Sequence, residues 1–155
     1  MMSDFARVEH RPSLVLAGLR ETIDPAVGNA DVWESVLNTV KLAGFSTEDT
    51  QQVAIIFGAN MRQEFDYMAG LVVNSRDNAQ ALGLNAAEVP AGDYAIVDVR
   101  GPAPLASMTG LDYLLGTFLP ERALTASGPA LEVYGPGDTS SENYMMQVWV
   151  PVKAL

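Results

Sequence analysis

The chain contains no cysteine and one histidine, His10. Without cysteine there is no disulfide, no thiolate metal site and no thiol nucleophile, and the sequence carries no sign of redox compartment. A lone histidine excludes a two-histidine metal site within one chain, so no metal and no other cofactor is expected. His10 stands between Glu9 and Arg11 and reads as a surface residue, and no catalytic residue is assigned. Positive charge is scarce: 9 Lys and Arg face 19 Asp and Glu in 155 residues, a net charge of −10. The cations Arg7, Arg11, Arg20, Lys41, Arg62, Arg76, Arg100, Arg122 and Lys153 stand singly. A duplex carries about one negative charge per 1.7 Å of axis, so direct nucleic-acid binding is not expected without a basic patch. The same scatter argues against a polybasic membrane-surface segment. No apolar run approaches the ~18 residues of a membrane span, and MMSDFARVEHRP lacks the apolar centre of a signal peptide. A soluble, cytoplasmic protein is expected.

What is present is globular: 48% hydrophobic and 18% charged residues. A chain of this length buries about two thirds of its unfolded surface, which suggests one domain over residues 1–155. Ser13 to Ile23 is rich in branched apolar residues and stops at Asp24-Pro25, the pattern of a strand entering a turn. Asp31 is expected to cap a helix reaching Gly44, with Trp33, Val36, Leu37, Val40 and Ala43 at helical spacing. Gln52 to Phe57 and Phe65 to Val73 read as two strands around a Gly58-Ala59-Asn60 turn. After a polar connection from Asn74 to Val89 the same order returns. Asp93 to Val99 is a strand, Leu105 to Leu119 a helix, and Ala130 to Tyr134 and Tyr144 to Pro151 two further strands.

The repeat is visible in the residues themselves. At an offset of 77, Phe57-Gly58 falls on Tyr134-Gly135, Asp66-Tyr67-Met68 on Asn143-Tyr144-Met145, and Leu71 and Val73 on Val148 and Val150. Together with the repeated element order this predicts a duplicated strand-helix-strand-strand module, with pseudo-repeats at about 8–73 and 90–153. The expected fold class is α+β: an antiparallel sheet with helices on one face, the other face partly open, and a ligand cleft between the two halves.

Side chains alternate between the faces of a strand, so parity assigns them. Tyr144, Met146, Val148 and Val150 form an apolar set for the helix side, leaving Met145, Gln147 and Trp149 for the open face. Glu132 and Tyr134 are expected beside Gln147, Trp149 and Met145 if their parity also points outward. The offset carries this back to Met68, Gly70 and Val72 beside Ile55 and Phe57. Gly70 then matches Gln147, and its missing side chain is expected to make room between the halves. Tyr67 and Tyr144 fall on the helix side, in the core.

These residues resemble the GyrI-like effector-binding domains, the small-molecule modules of AraC-type and MerR-type regulators. The resemblance runs through Tyr67-Met68-Ala69-Gly70, Val89-Pro90-Ala91-Gly92-Asp93-Tyr94-Ala95, Leu131-Glu132-Val133-Tyr134 and Val148-Trp149-Val150-Pro151-Val152, and covers about Val8 to Lys153. It implies a duplicated α+β fold that binds bulky, often cationic, aromatic compounds against aromatic walls and a buried acid. Many members carry an acid four positions before the Pro of the terminal strand, where this chain has Gln147. Glu132, the acid of the Leu131-Glu132-Val133-Tyr134 motif, is therefore assigned to cation recognition. A stand-alone form is expected, since no helix-turn-helix precedes the first strand.

An acid among aromatic rings suits a lipophilic cation, because each ring face attracts the cation by about 0.5–2 kcal/mol and a desolvated carboxylate adds a directional charge. The expected ligand-binding set is Glu132, Tyr134, Gln147, Trp149, Met145, Met68, Gly70, Phe57 and Trp33. Five of these have an ordinary alternative: a solvated strand position for Glu132, a core position for Trp149 and Trp33, and adaptable filling for Met68 and Met145. The leading reading is a protein that binds lipophilic, cationic or aromatic small molecules. One alternative is a hydrolase of a reactive strained-ring compound, with Glu132 as base and Tyr134 as proton donor. Another is an interaction module for gyrase or a regulator. The sequence leaves a homodimer open.

Overall fold

The computed structural model describes residues 6–46, 50–58 and 60–155. In chain order the elements are β1 (Ala6–Arg11), β2 (Leu14–Ile23), α1 (Ala30–Leu42), β3 (Gln52–Phe57), β4 (Phe65–Val73), α2 (Arg76–Ala81), β5 (Asn85–Val89) and β6 (Gly92–Arg100). Then come α3 (Ala103–Tyr113), a wide π turn over Leu114–Phe118, α4 (Leu119–Glu121), β7 (Leu124–Ala126), β8 (Ala130–Tyr134) and β9 (Met145–Ala154). No helix among the described residues is long and apolar enough to cross a membrane.

Local chemistry accounts for most boundaries. Helix α1 starts one residue before Asp31, which therefore lies in the first turn rather than at the cap, where its charge opposes the positive end of the helix dipole. Gly44, at φ +78°, ends the helix as expected, and the Phe45 N–H turns back to Val40 O at 3.0 Å. The polar connection 74–89 holds two elements that its composition hides: α2, capped by Ser75 Oγ accepting the Asn78 N–H at 3.3 Å, and β5. In the second long helix the Leu119 N–H reaches Leu114 O, five residues back. Pro120 has no N–H to give to Gly116, so the ordinary ladder cannot continue there. The turn expected over Gly58-Ala59-Asn60 lies partly outside the described residues, at Ala59.

The strands form one nine-stranded sheet in the order β1-β6-β9-β8-β3-β4-β2-β5, with β7 paired to the end of β9. The order reads the same from either end when β1 is exchanged with β5, β2 with β6, β3 with β8 and β4 with β9. Val53 pairs with Val133 at the centre, so a pseudo-twofold axis passes between them. The register shows two offsets. Val133 follows Val53, and Asp98 follows Gly18, by 80 residues, while Gln147 follows Gly70 by 77. The change occurs because Gly70 follows its partner Val53 by 17 positions whereas Gln147 follows Val133 by 14, so the second hairpin is three residues shorter between equivalent positions.

Each half lends its flanking strand to the other: β1 pairs with β6, and β5 pairs with β2. Yet Arg11 and Leu14, and likewise Val89 and Gly92, are separated by only two linker residues. Three peptide steps span at most about 11 Å, whereas in a flat sheet the strands so joined, six spacings apart, would lie about 29 Å from each other at ~4.8 Å per strand. The sheet must therefore curl until its ends meet.

That curl creates two cores. On the helix side, Val32, Val36 and Val40 of α1, and Leu111, Leu114 and Phe118 of the second long helix, pack against Ala54, Tyr67, Leu71, Met146, Val148 and Val150. On the other side the curled sheet closes on itself around Leu16, Ile55, Met68, Tyr94, Ile96, Leu131 and Trp149. The face expected to be partly open is thus a second apolar core. Gly70 leaves no room there: a Cβ at that position would stand 3.2 Å from Leu16 Cβ and 3.3 Å from Ala17 O. At Gly18, its partner across the β2–β4 ladder, a Cβ would meet Ala69 O at 1.9 Å.

Candidate functional site

Glu132 lies at the centre of β8 with 1% of its surface exposed, a charged side chain inside the helix-side core. The Tyr67 hydroxyl donates to Oε1 at 2.6 Å and the Tyr134 hydroxyl to the same oxygen at 2.7 Å. Ser107 Oγ, from α3, donates to Oε2 in a short hydrogen bond. The Tyr67 hydroxyl in turn accepts from Trp33 Nε1 at 2.9 Å and Asn29 Nδ2 at 3.2 Å. Among the described residues none of the ion pairs includes Glu132. A buried carboxylate without a counter-charge costs several kcal/mol, which hydroxyl hydrogen bonds offset only in part.

Burial first, and the charge of Glu132 second, push the Tyr67 phenol well above its ordinary value of 10.0. The same causes, in the same order, raise Tyr134. Both hydroxyls therefore keep their protons at neutral pH and serve as donors to the acid.

In front of this network lies a cavity of about 680 Å³ between α1, the start of α3 and the loop after β8. Trp33 and Leu37 line it from α1, Gln52 from the start of β3, Tyr134 from the end of β8, and Pro102 and Pro104 from the start of α3. The Trp33 and Tyr134 rings meet edge to face, their centroids 5.3 Å apart at 81°. The loop is held by the Ala103 N–H, which donates to Thr139 O at 2.8 Å. Glu132 does not line the cavity. Its charge sits one hydroxyl behind the aromatic wall, reached through Tyr134, and Glu34 adds a second acid at the rim.

Of the residues singled out in the sequence, Glu132, Tyr134 and Trp33 come together here. The shared face expected for Glu132, Tyr134, Gln147, Trp149 and Met145 is not observed: Glu132 pairs with Val148, and Trp149 with Leu131. Directly opposed residues share a face, so Glu132 and Tyr134 belong to the helix side, and Gln147, Trp149 and Met145 to the reverse. Met68, Gly70 and Phe57 lie with Ile55 on that reverse face, and only their expected link to Glu132 and Tyr134 fails. The offset of 77 holds on β4 and β9 but becomes 80 on β3 and β8, and a slip of an odd number of residues exchanges the faces.

On the reverse face Gln147 Nε2 donates to Asp98 Oδ1 at 2.7 Å and Trp149 Nε1 donates to Gln147 Oε1 at 2.8 Å. Arg7 pairs with Asp98 at 3.0 Å, and the Arg11 guanidinium covers the Trp149 ring at 4.8 Å. Met68 is buried and Met145 is 44% exposed. Phe57 lines a different cavity.

Three members of the site, Tyr67, Ser107 and Asn29, were not singled out as ligand-site residues. Tyr67 was expected in the core and is there, but its hydroxyl is the hub of the network. Ser107 carried a readable signal: a lone polar residue in the buried stripe Ala103, Ala106, Ser107, Gly110, Leu111. No group of His, Cys, Asp and Glu among the described residues is arranged to hold a metal ion.

Residues 7–152 match the family Cass2, described as integron-associated effector binding protein. Among solved structures, SAV2435 bound to tetraphenylphosphonium superposes with a TM-score of 0.70 at 19% identity, covering 96% of this chain and 93% of that one. The EcmrR–DNA complex gives 0.76 at 14%, with 97% of this chain and 57% of EcmrR covered. The Vibrio cholerae integron cassette protein VCH_CASS2 gives 0.62 at 12%, with 96% of each chain covered. No curated protein sequence matches significantly.

Proposed function

Because this chain belongs to the Cass2 family of integron-associated effector-binding proteins and has the GyrI-like effector-binding fold, we propose that its effectors are lipophilic cations held in the cavity between α1 and α3. The observation that carries this reading is Glu132: a carboxylate with no ion-pair partner among the described residues, placed directly behind an aromatic wall. A bound cation would supply the missing counter-charge, and the Trp33 and Tyr134 rings would supply the faces on which a delocalised cation rests. A volume of about 680 Å³ accommodates a drug-sized molecule. The tetraphenylphosphonium complex of SAV2435 supports the same class of ligand.

Full engagement requires the Tyr134 hydroxyl, or the Trp33–Tyr134 pair, to move aside so that the cation approaches the acid. Tetraphenylphosphonium titrated into a Trp149→Phe variant, which leaves Trp33 as the reporter, should change the indole fluorescence in a saturable way. An unchanged signal together with an absence of binding heat would refute the proposal.

A further inference from the structure

A second cavity, of about 390 Å³, lies on the other side of the pseudo-twofold axis. The two cavities lie beside different long helices and use opposite ends of β3 and β8. The first takes Trp33 and Leu37 from α1, Gln52 from the first position of β3 and Tyr134 from the last position of β8. The second takes Leu111 and Leu115 from the other long helix, Ala130 from the first position of β8 and Phe57 from the last position of β3. Helix phase agrees: Trp33 and Leu37 follow the buried Val32 and Val36, as Leu111 and Leu115 follow the buried Gly110 and Leu114.

Each half thus has a pocket beside its long helix, at opposite ends of the central β3–β8 pair, and the chemistry of the two differs. By the offset of 80 Tyr134 corresponds to Ala54 and Gln52 to Glu132, so Phe57 and Ala130 of the second cavity are not the counterparts of Tyr134 and Gln52 but residues two or three positions from their equivalents. None of the residues lining the second cavity is ionisable. Burying a charged ligand against such walls would leave the charge unpaired at a large cost, whereas an uncharged apolar ligand loses nothing. Leu115 lies in the π turn, a distortion that occurs often at functional sites.

We propose that this second cavity is a separate binding site for a neutral, apolar small molecule, smaller than the ligand of the first site and independent of Glu132. The size follows from the volumes, about 390 against about 680 Å³.

The test uses N-phenyl-1-naphthylamine, an uncharged dye that brightens in apolar surroundings. It should bind wild type and Glu132→Gln equally, persist under saturating tetraphenylphosphonium, and weaken at least tenfold in Leu115→Trp, which fills the cavity. Methyl NMR of the wild type gives a reading that does not depend on that variant folding. Dye-induced shifts at Leu111, Leu115 and Ala130 support the site. Shifts confined to Leu37, displacement by the phosphonium ion, unchanged affinity in Leu115→Trp, or no dye binding would each overturn it. Failure of phosphonium binding alone would instead count against the cation reading of the first cavity.

Discussion

Glu132 and Trp149 stand on opposite faces of one sheet although their strands are neighbours, because Glu132 is paired with Val148 and Trp149 with Leu131. The acid therefore sits behind the wall of the cavity under the helices, and the indole of Trp149 belongs to the core inside the curled sheet, where Tyr94 lies 5.8 Å away. The aromatic partner of the acid's network is the other tryptophan, Trp33.

Tyr67→Phe should cost more than Tyr134→Phe. Losing the Tyr67 hydroxyl removes a donor to the buried Glu132 and takes the acceptor from the half-buried Trp33 Nε1 and Asn29 Nδ2, and a buried group left unsatisfied costs about 1–3 kcal/mol, a half-buried one less. Losing the Tyr134 hydroxyl leaves Tyr67 and Ser107 still bonded to the acid. Urea unfolding of both variants should rank them in this order, and equal midpoints would show that Tyr67 is not the hub.

Stability should fall at high pH. Folding raises the phenols of Tyr67 and Tyr134 well above 10.0, so the folded chain retains protons that the unfolded chain releases. The stabilisation is complete below the unfolded value and declines as pH climbs above about 10, by up to ~1.4 kcal/mol per pH unit for each tyrosine. Unfolding free energies measured from pH 8 to 11 should show this decline, and Tyr67→Phe should flatten it. A profile that is flat beyond pH 10 would contradict the burial of these hydroxyls.

Gly18 and Gly116 make a contrasting pair. A methyl at Gly18 meets backbone oxygen at 1.9 Å, whereas one at Gly116 meets nothing within 4 Å. Gly18→Ala should exceed the ~1–3 kcal/mol of ordinary overpacking because the obstructing atom belongs to the main chain. Gly116→Ala should leave the melting temperature level or raise it. A folded Gly18→Ala of normal stability would show that the β2–β4 approach is looser than described.

The duplication could be read from the sequence because aromatic-Gly turns and Tyr-Met strands recur, and the strands over 52–57, 65–73 and 130–134 have the expected bounds. The swap of β1 and β5 between halves could not. β5 lies in a stretch whose composition is polar, and pairing between distant strands leaves no local trace. Within the site, Glu132 and Tyr134 were legible as a pair through parity on one strand. Their side of the sheet depended on an offset that is 77 on β4 and β9 but 80 on β3 and β8, because the second hairpin is three residues shorter between equivalent positions, and an odd difference reverses a face assignment. Asn29 carries no pattern of its own, since it enters the network only because α1 crosses above Tyr67.

The central claim is that the charge of Glu132 selects the ligand. Calorimetry with two probes of matching shape, the cation tetraphenylphosphonium and the anion tetraphenylborate, separates charge from hydrophobic size. Wild type should bind the cation and strongly disfavour the anion. Glu132→Gln should weaken cation binding at least tenfold, about 1.4 kcal/mol, and narrow the difference between the probes. Equal cation affinity in wild type and Glu132→Gln, with an unchanged preference between the two ions, would contradict the account.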